Sequence, residues 1–334
     1  MTPLRAVAIS VLLSMAFLAS PGRSLAQEDA ESAARPSPYG VNAHVPTAAE
    51  FKAIQKAGFG WARVDLTWNW VEPAPGLFRW DELDRLVTDA RGRGVRLVGI
   101  LGYCPAWASS GPDIFYPPRD TAQWKNYVRA MVGRYRGEIR HWILWNEPNC
   151  NTYFRGTVDQ YIVQVLIPGA RAVKEANPEA LVCGPDLAHL SGCDWDRWMD
   201  KILADQGAYF DVITHHCYKE DPDEVFRQID GRKWPWEPPS VRDILRRHGQ
   251  GDKPFFLTET GWRSTKVGEA AQAGNLTKLL QGVVDRPWLH KVFLYELRDS
   301  TVEPGYGLLR VDHSPKPSYR AVRRFIKAHP AGRP

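Results

Sequence analysis

The strongest constraint on this chain's fold is an alternation. From Tyr39 almost to the end, short β-branched or apolar runs are each followed by a longer amphipathic stretch, and eight such pairs can be counted. The predicted strands are Tyr39–His44, Gly60–Leu66, Val95–Leu101, Arg140–Trp145, Ala180–Pro185, Phe210–His216, Pro254–Glu259 and Lys291–Leu297. The predicted helices are Ala48–Ala57, Trp80–Arg93, Ala122–Arg136, Val158–Ala176, Asp196–Asp205, Val241–His248, Glu269–Val284 and Ser318–Ala328. Pro and Gly fall mostly between these segments, where helices start and stop. Strands separated by returning helices pair in parallel, and eight such units close most economically into a (β/α)8 TIM barrel. The expected fold is therefore α/β, a single barrel domain over residues 39–330 with no appended β domain. An open doubly wound sheet is the rival architecture, and it needs a glycine-rich phosphate turn after its first strand. Here the first strand runs Gly40-Val41-Asn42-Ala43-His44 into Val45-Pro46 instead. Phosphate-bearing cofactors lose their main support.

The segment before the barrel has a different character. Arg5 precedes an apolar run from Ala6 to Ala19, and Ser24-Leu25-Ala26 forms a small-residue cleavage pattern before Gln27. Residues 1–26 thus read as a signal peptide and 27–38 as a flexible polar leader. The apolar run is too short to span a bilayer, so no membrane association is expected after cleavage, and the location is secreted or periplasmic. The formal charge of +5 is thin and scattered, without the basic stripe that marks a nucleic-acid partner. Five cysteines follow the signal segment (Cys104, Cys150, Cys183, Cys193 and Cys217), and export permits disulfides. The ends of the third and fourth strands are neighbours in a barrel, so Cys104–Cys150 is the favoured bridge, with Cys183–Cys193 as a second candidate. No C-x-x-C pair is present, and zinc is not expected.

Barrel enzymes carry their chemistry where strands end. The fourth predicted strand runs into Trp145-Asn146-Glu147-Pro148-Asn149, the seventh into Thr258-Glu259-Thr260-Gly261-Trp262. Two carboxylates on different strands then face one mouth, which is what hydrolysis of a glycosidic bond requires. On these motifs the chain resembles the clan A retaining glycoside hydrolases, most closely glycoside hydrolase family 39 and its bacterial polysaccharide-degrading relatives. The resemblance extends from Tyr39-Gly40-Val41-Asn42 to Lys316-Pro317-Ser318. It implies an exported enzyme that cleaves a polysaccharide or oligosaccharide through a covalent glycosyl-enzyme intermediate, cutting internally.

In that family's terms Glu147 is the general acid/base and Glu259 the nucleophile. Asn146 would bind the sugar 2-hydroxyl, Arg63 would lie beside the nucleophile, and His216 and Tyr218 match a His-x-Tyr motif. Arg63 is expected to keep Glu259 ionised while Glu147 holds its proton. The sequence departs from the clan at the eighth strand, where Tyr295 stands in place of the usual Trp beneath the reacting sugar. Trp262 is expected to stack on sugar, and His44 to touch sugar hydroxyls. With 14 Trp, 12 Tyr and 12 Phe, further stacking platforms are candidates at Trp68, Trp70, Trp107, Trp145, Trp234 and Trp236. His215 and His216 with Asp221, Asp223 or Glu224 match no metal-site spacing, so neither metal nor cofactor is expected. A monomer is expected. The alternatives are a transglycosylase and a non-catalytic carbohydrate-binding barrel in exopolysaccharide handling.

Overall fold

The computed structural model describes residues 37–231 and 237–330. Eight parallel strands close in sequence order into a barrel: β1 Tyr39–His44, β2 Trp61–Asp65, β3 Arg96–Leu101, β4 His141–Leu144, β5 Leu181–Ala188, β6 Val212–His216, β7 Phe255–Thr260 and β8 Leu289–Leu294. The outer helices are α1 Ala48–Ala57, α2 Trp80–Arg91, α3 Thr121–Arg134, α4 Ile167–Ala176, α5 Trp195–Gln206, α6 Pro222–Asp230, α7 Val241–Arg247, α8 Glu269–Val284 and α9 Pro317–Ala328. α6 is an element the sequence reading did not anticipate. The proposed signal peptide and most of the leader lie outside the described residues, as do Trp234 and Trp236. No helix among the described residues is long and apolar enough to cross a membrane.

The inner face of the barrel changes character along its axis. Because side chains alternate, Trp61 and Arg63 share one face of β2, Phe256 and Thr258 one face of β7, and Val212, Thr214 and His216 one face of β6. The lower members, Trp61, Val212 and Phe256, join Val98, Ile143, Cys183 and Phe293 in a compact apolar plug. The upper members are polar and buried, so the plug supports a charged layer at the carboxyl ends of the strands. A second and larger apolar cluster fills the space between strands and helices.

Local chemistry explains the helix boundaries. Thr47 and Glu50 form a reciprocal capping box at the start of α1, and Gly58 ends that helix with φ of 88°. The predicted helix Val158–Ala176 is instead a short α-turn, a wide π-turn over Tyr161–Leu166, and then α4. Pro168 lacks the amide that would continue α-type bonding, and the indole of Trp124 donates to the Val165 carbonyl at 3.0 Å.

The cysteine expectations need correction. The bridge joins Cys150 to Cys193, with Cα atoms 4.9 Å apart, whereas Cys104, Cys183 and Cys217 are free and buried. Cys104 packs into the outer core and Cys183 into the plug inside the barrel, and neither faces the loop that carries Cys193.

Candidate active site

Three strands meet the site through β-bulges. Ala43 on β1, Asp186 on β5 and Thr258 on β7 are each an extra residue against the neighbouring strand. A one-residue slip turns every later side chain to the opposite face. On β7 the slip brings Glu259 alongside His216, so a residue that regular alternation would send outward reaches the barrel mouth. Left-handed backbone does comparable work elsewhere. Among the described residues, seven other than glycine have positive φ, and five of them (His44, Tyr103, Trp145, Glu147 and Asp186) lie at or beside the site. Each such conformation costs about 1–3 kcal/mol and persists only where its surroundings enforce it.

Arg63 is the hub of the site, and it is buried. One guanidinium nitrogen, Nη1, donates to Asn42 Oδ1 at 2.9 Å and to Glu259 Oε1 at 2.7 Å. The other, Nη2, donates to Asn146 Oδ1 and Asp186 Oδ2, both at 2.6 Å. Tyr218 donates its hydroxyl to Glu259 Oε2 at 2.8 Å. His216 lies between acids: its Nδ1 is 2.7 Å from Glu147 Oε1 and 3.5 Å from Glu259 Oε2, and its Nε2 is 3.2 Å from Asp186 Oδ2. Oxygens of Glu147 and Glu259 approach within 4.8 Å of one another. An approach that close is consistent with the about 5–5.5 Å that separates the carboxyl groups of a retaining pair.

The charge balance has a definite consequence. Burial opposes a charged His216, but Glu259, Asp186 and the bond to Glu147 overcome it and push the imidazole up to about 10. His216 is therefore a cation near neutral pH, with both ring nitrogens donating. Asp186 is held far below the usual carboxylate range, because Arg63 and His216 outweigh its burial. Two cations, Arg63 and His216, and one anion, Asp186, then face Glu147 and Glu259. Burial raises Glu259, against the pull of His216, Arg63 and the Tyr218 hydroxyl and with the help of the Glu147 charge. Arg63 is in contact with Glu259 as expected, and its pull toward the ionised form is opposed by desolvation, the larger effect. Atoms of Glu147, His216 and Glu259 are close enough to surround a cation. Both His216 nitrogens already face carboxylates, Nδ1 that of Glu147 and Nε2 that of Asp186.

The other expected residues are distributed around this centre. His44, half-exposed at the lip, bridges Asp65 at 2.9 Å and the buried Glu296 at 3.0 Å. Tyr295 is partly buried and meets the rings of His44, Tyr218 and Tyr306 edge-on. Trp262 departs from expectation: it is 4% exposed within the outer core, and its indole donates to the Glu220 carbonyl at 2.9 Å. Trp68 and Trp145 are fully buried, and Trp70 and Trp107 pack against the same core. Asp186, Asn42, Glu296 and Tyr103 were not picked out from the sequence. The only signal for Asp186 was a lone acid in the otherwise apolar run Leu181–Ala188.

Comparison with known proteins adds lineage to this geometry. The family model described as glycosyl hydrolases family 39 matches residues 58–327. A "Beta-xylosidase" of Geobacillus stearothermophilus is 24% identical over 280 residues, covering 73% of this chain and 55% of that protein. Another protein of that name, from Caldicellulosiruptor saccharolyticus, is 23% identical, covering 75% and 57%. The solved structure of a family 39 glycoside hydrolase from Bacteroides cellulosilyticus WH2 aligns with a TM-score of 0.70 at 24% identity, over 87% of this chain and 63% of that one. The chain spans a little over half the length of the curated relatives it matches.

Proposed function

The chain belongs to glycosyl hydrolases family 39, and from that premise we propose that it hydrolyses O-glycosidic bonds with retention of configuration. The observation that carries the proposal is the pair of facing carboxyls within 4.8 Å, set between two buried cations. Glu259 attacks the anomeric carbon, and Arg63 and Tyr218 hold its two oxygens for in-line approach. Glu147 protonates the departing oxygen and then deprotonates the water that releases the sugar. The His216 cation beside both carboxyls favours the ionised Glu259 that attacks. Asn146, bonded to Arg63 through its Oδ1 and donating to the Tyr103 hydroxyl, has one amide N–H left for a sugar hydroxyl. His44 and Tyr295 serve at the lip on the sugar side.

The first substrate to test is a β-xyloside, after the relatives named beta-xylosidase. Internal cutting of a polymer rested on family resemblance and on aromatic platforms, and it loses the second support, because of the five described candidates Trp68, Trp145 and Trp262 are buried and Trp70 and Trp107 pack against the core. We therefore favour release of sugar from a chain end. Export accords with the Cys150–Cys193 bridge, since disulfides persist in oxidising compartments. A monomer accords with a site assembled entirely from strands of one barrel.

The test is reaction of the whole chain with aryl and alkyl β-xylosides and xylo-oligosaccharides, with the anomeric configuration of the first product read by NMR. Glu259→Gln is expected to lower turnover by on the order of 10³-fold or more. An inverted first product, or full activity in Glu259→Gln, overturns the reading.

A further inference from the structure

The carboxyl of Glu147 hangs on a strained backbone. Glu147 has φ of 46° and Trp145, two residues earlier, φ of 79°. Beside this segment lies an open pocket of about 460 Å³, bordered by Pro148, Asn149, Asn151, Asp194 and Arg197. The turn from Glu147 to Cys150 is nevertheless buried.

A set of tethers to one neighbouring stretch holds it. Glu147 donates its amide to the Asp186 carbonyl at 3.1 Å. Asn149, buried, accepts from the Ala188 amide at 3.0 Å and donates to the carbonyls of Ala188 and Cys193, both at 2.9 Å. Cys150 is covalently joined to Cys193. All these anchors lie between Asp186 and Cys193, on β5 and the loop that follows it. β5 also carries the Asp186 carboxyl that pairs with Arg63 and His216. One strand thus sets both the cations and the acid that faces them.

We propose that Asn149 and the Cys150–Cys193 disulfide are positioning elements for Glu147, keeping its carboxyl against His216 and aimed at the leaving group. The inference rests on the acid/base reading of Glu147. It makes a claim that a general stabilising role does not: loss of the tether should harm proton delivery selectively. A departing group of low pKa leaves without a proton, whereas an alkoxide needs one.

The experiment compares the oxidised whole chain with Cys150→Ser/Cys193→Ser and with Asn149→Ala, which retains the bridge if the double variant fails to fold. Two readouts are taken. Turnover on methyl β-xyloside is expected to fall about 10-fold or more beyond any fall on the dinitrophenyl glycoside. The ¹H resonance of His216 Nδ1–H, assigned with His216→Gln, is expected to move toward its position in Glu147→Ala. Equal losses on both glycosides with an unmoved resonance overturn the positioning role. Absence of turnover in the wild-type chain overturns the choice of xyloside as substrate instead, and the resonance still decides whether the tether places Glu147.

Discussion

At the residue scale the site is a problem of distributing too few protons among closely packed charges. His216 illustrates how this couples to stability. Its imidazole is raised from an ordinary value of 6.5 to about 10 by Glu259, Asp186 and the bond to Glu147, against the cost of burial. A raised base binds its proton more tightly folded than unfolded, so its contribution is complete below about pH 6.5 and is lost as pH climbs through about 10. Thermal melts between pH 6 and 10 should show the wild type losing stability across that window, and His216→Gln losing less. A flat wild-type profile would mean that the imidazole is neutral. Arg63 and His216 were legible in the sequence because each stands in a stretch that resembles the family, Arg63 within the second strand and His216 at the end of the sixth. Asp186 was not, because a lone acid in an apolar strand looks the same whether it ends the strand or pairs with two cations across a barrel.

At the element scale the bulges matter most. Without the extra residue on β7, Glu259 would point away from Arg63, and the two carboxyls could not face each other. The top of that strand is tightly confined: a Cβ added at Gly261 would lie 2.2 Å from the Tyr295 carbonyl oxygen, which is backbone and cannot swing aside. Gly261→Ala should therefore displace the β7 and β8 ends together. The expected cost is about 1–3 kcal/mol of stability, with activity lost in proportion to the displacement of Glu259 and Tyr295. A crystal structure of an active, unshifted Gly261→Ala protein would contradict this. Strand positions were read to within a few residues, but bulges were not, since nothing in Leu257-Thr258-Glu259 distinguishes a bulged strand from a regular one.

At the scale of the whole molecule, the Cys150–Cys193 bridge closes a loop of 43 residues. Chain-entropy arguments put the stabilisation from a loop of that size at about 4 kcal/mol. Denaturant titration of the Cys150→Ser/Cys193→Ser chain should show a loss of up to that amount, and an unchanged midpoint would place the bridge's effect outside the unfolded chain. The sequence by itself determined the barrel, because the period of apolar residues and the positions of Gly and Pro are local properties that eight repeats make unambiguous. It also marked Glu147 and Glu259, because acids at strand ends in distinctive motifs are visible without contacts. Only the tertiary structure decided the rest: which cysteines meet, that Trp262 is core, that Asp186 completes the charge network, and that burial outweighs Arg63 at Glu259. Each of these depends on which residues distant in the chain share a low-dielectric space, and a linear pattern carries no record of that distance.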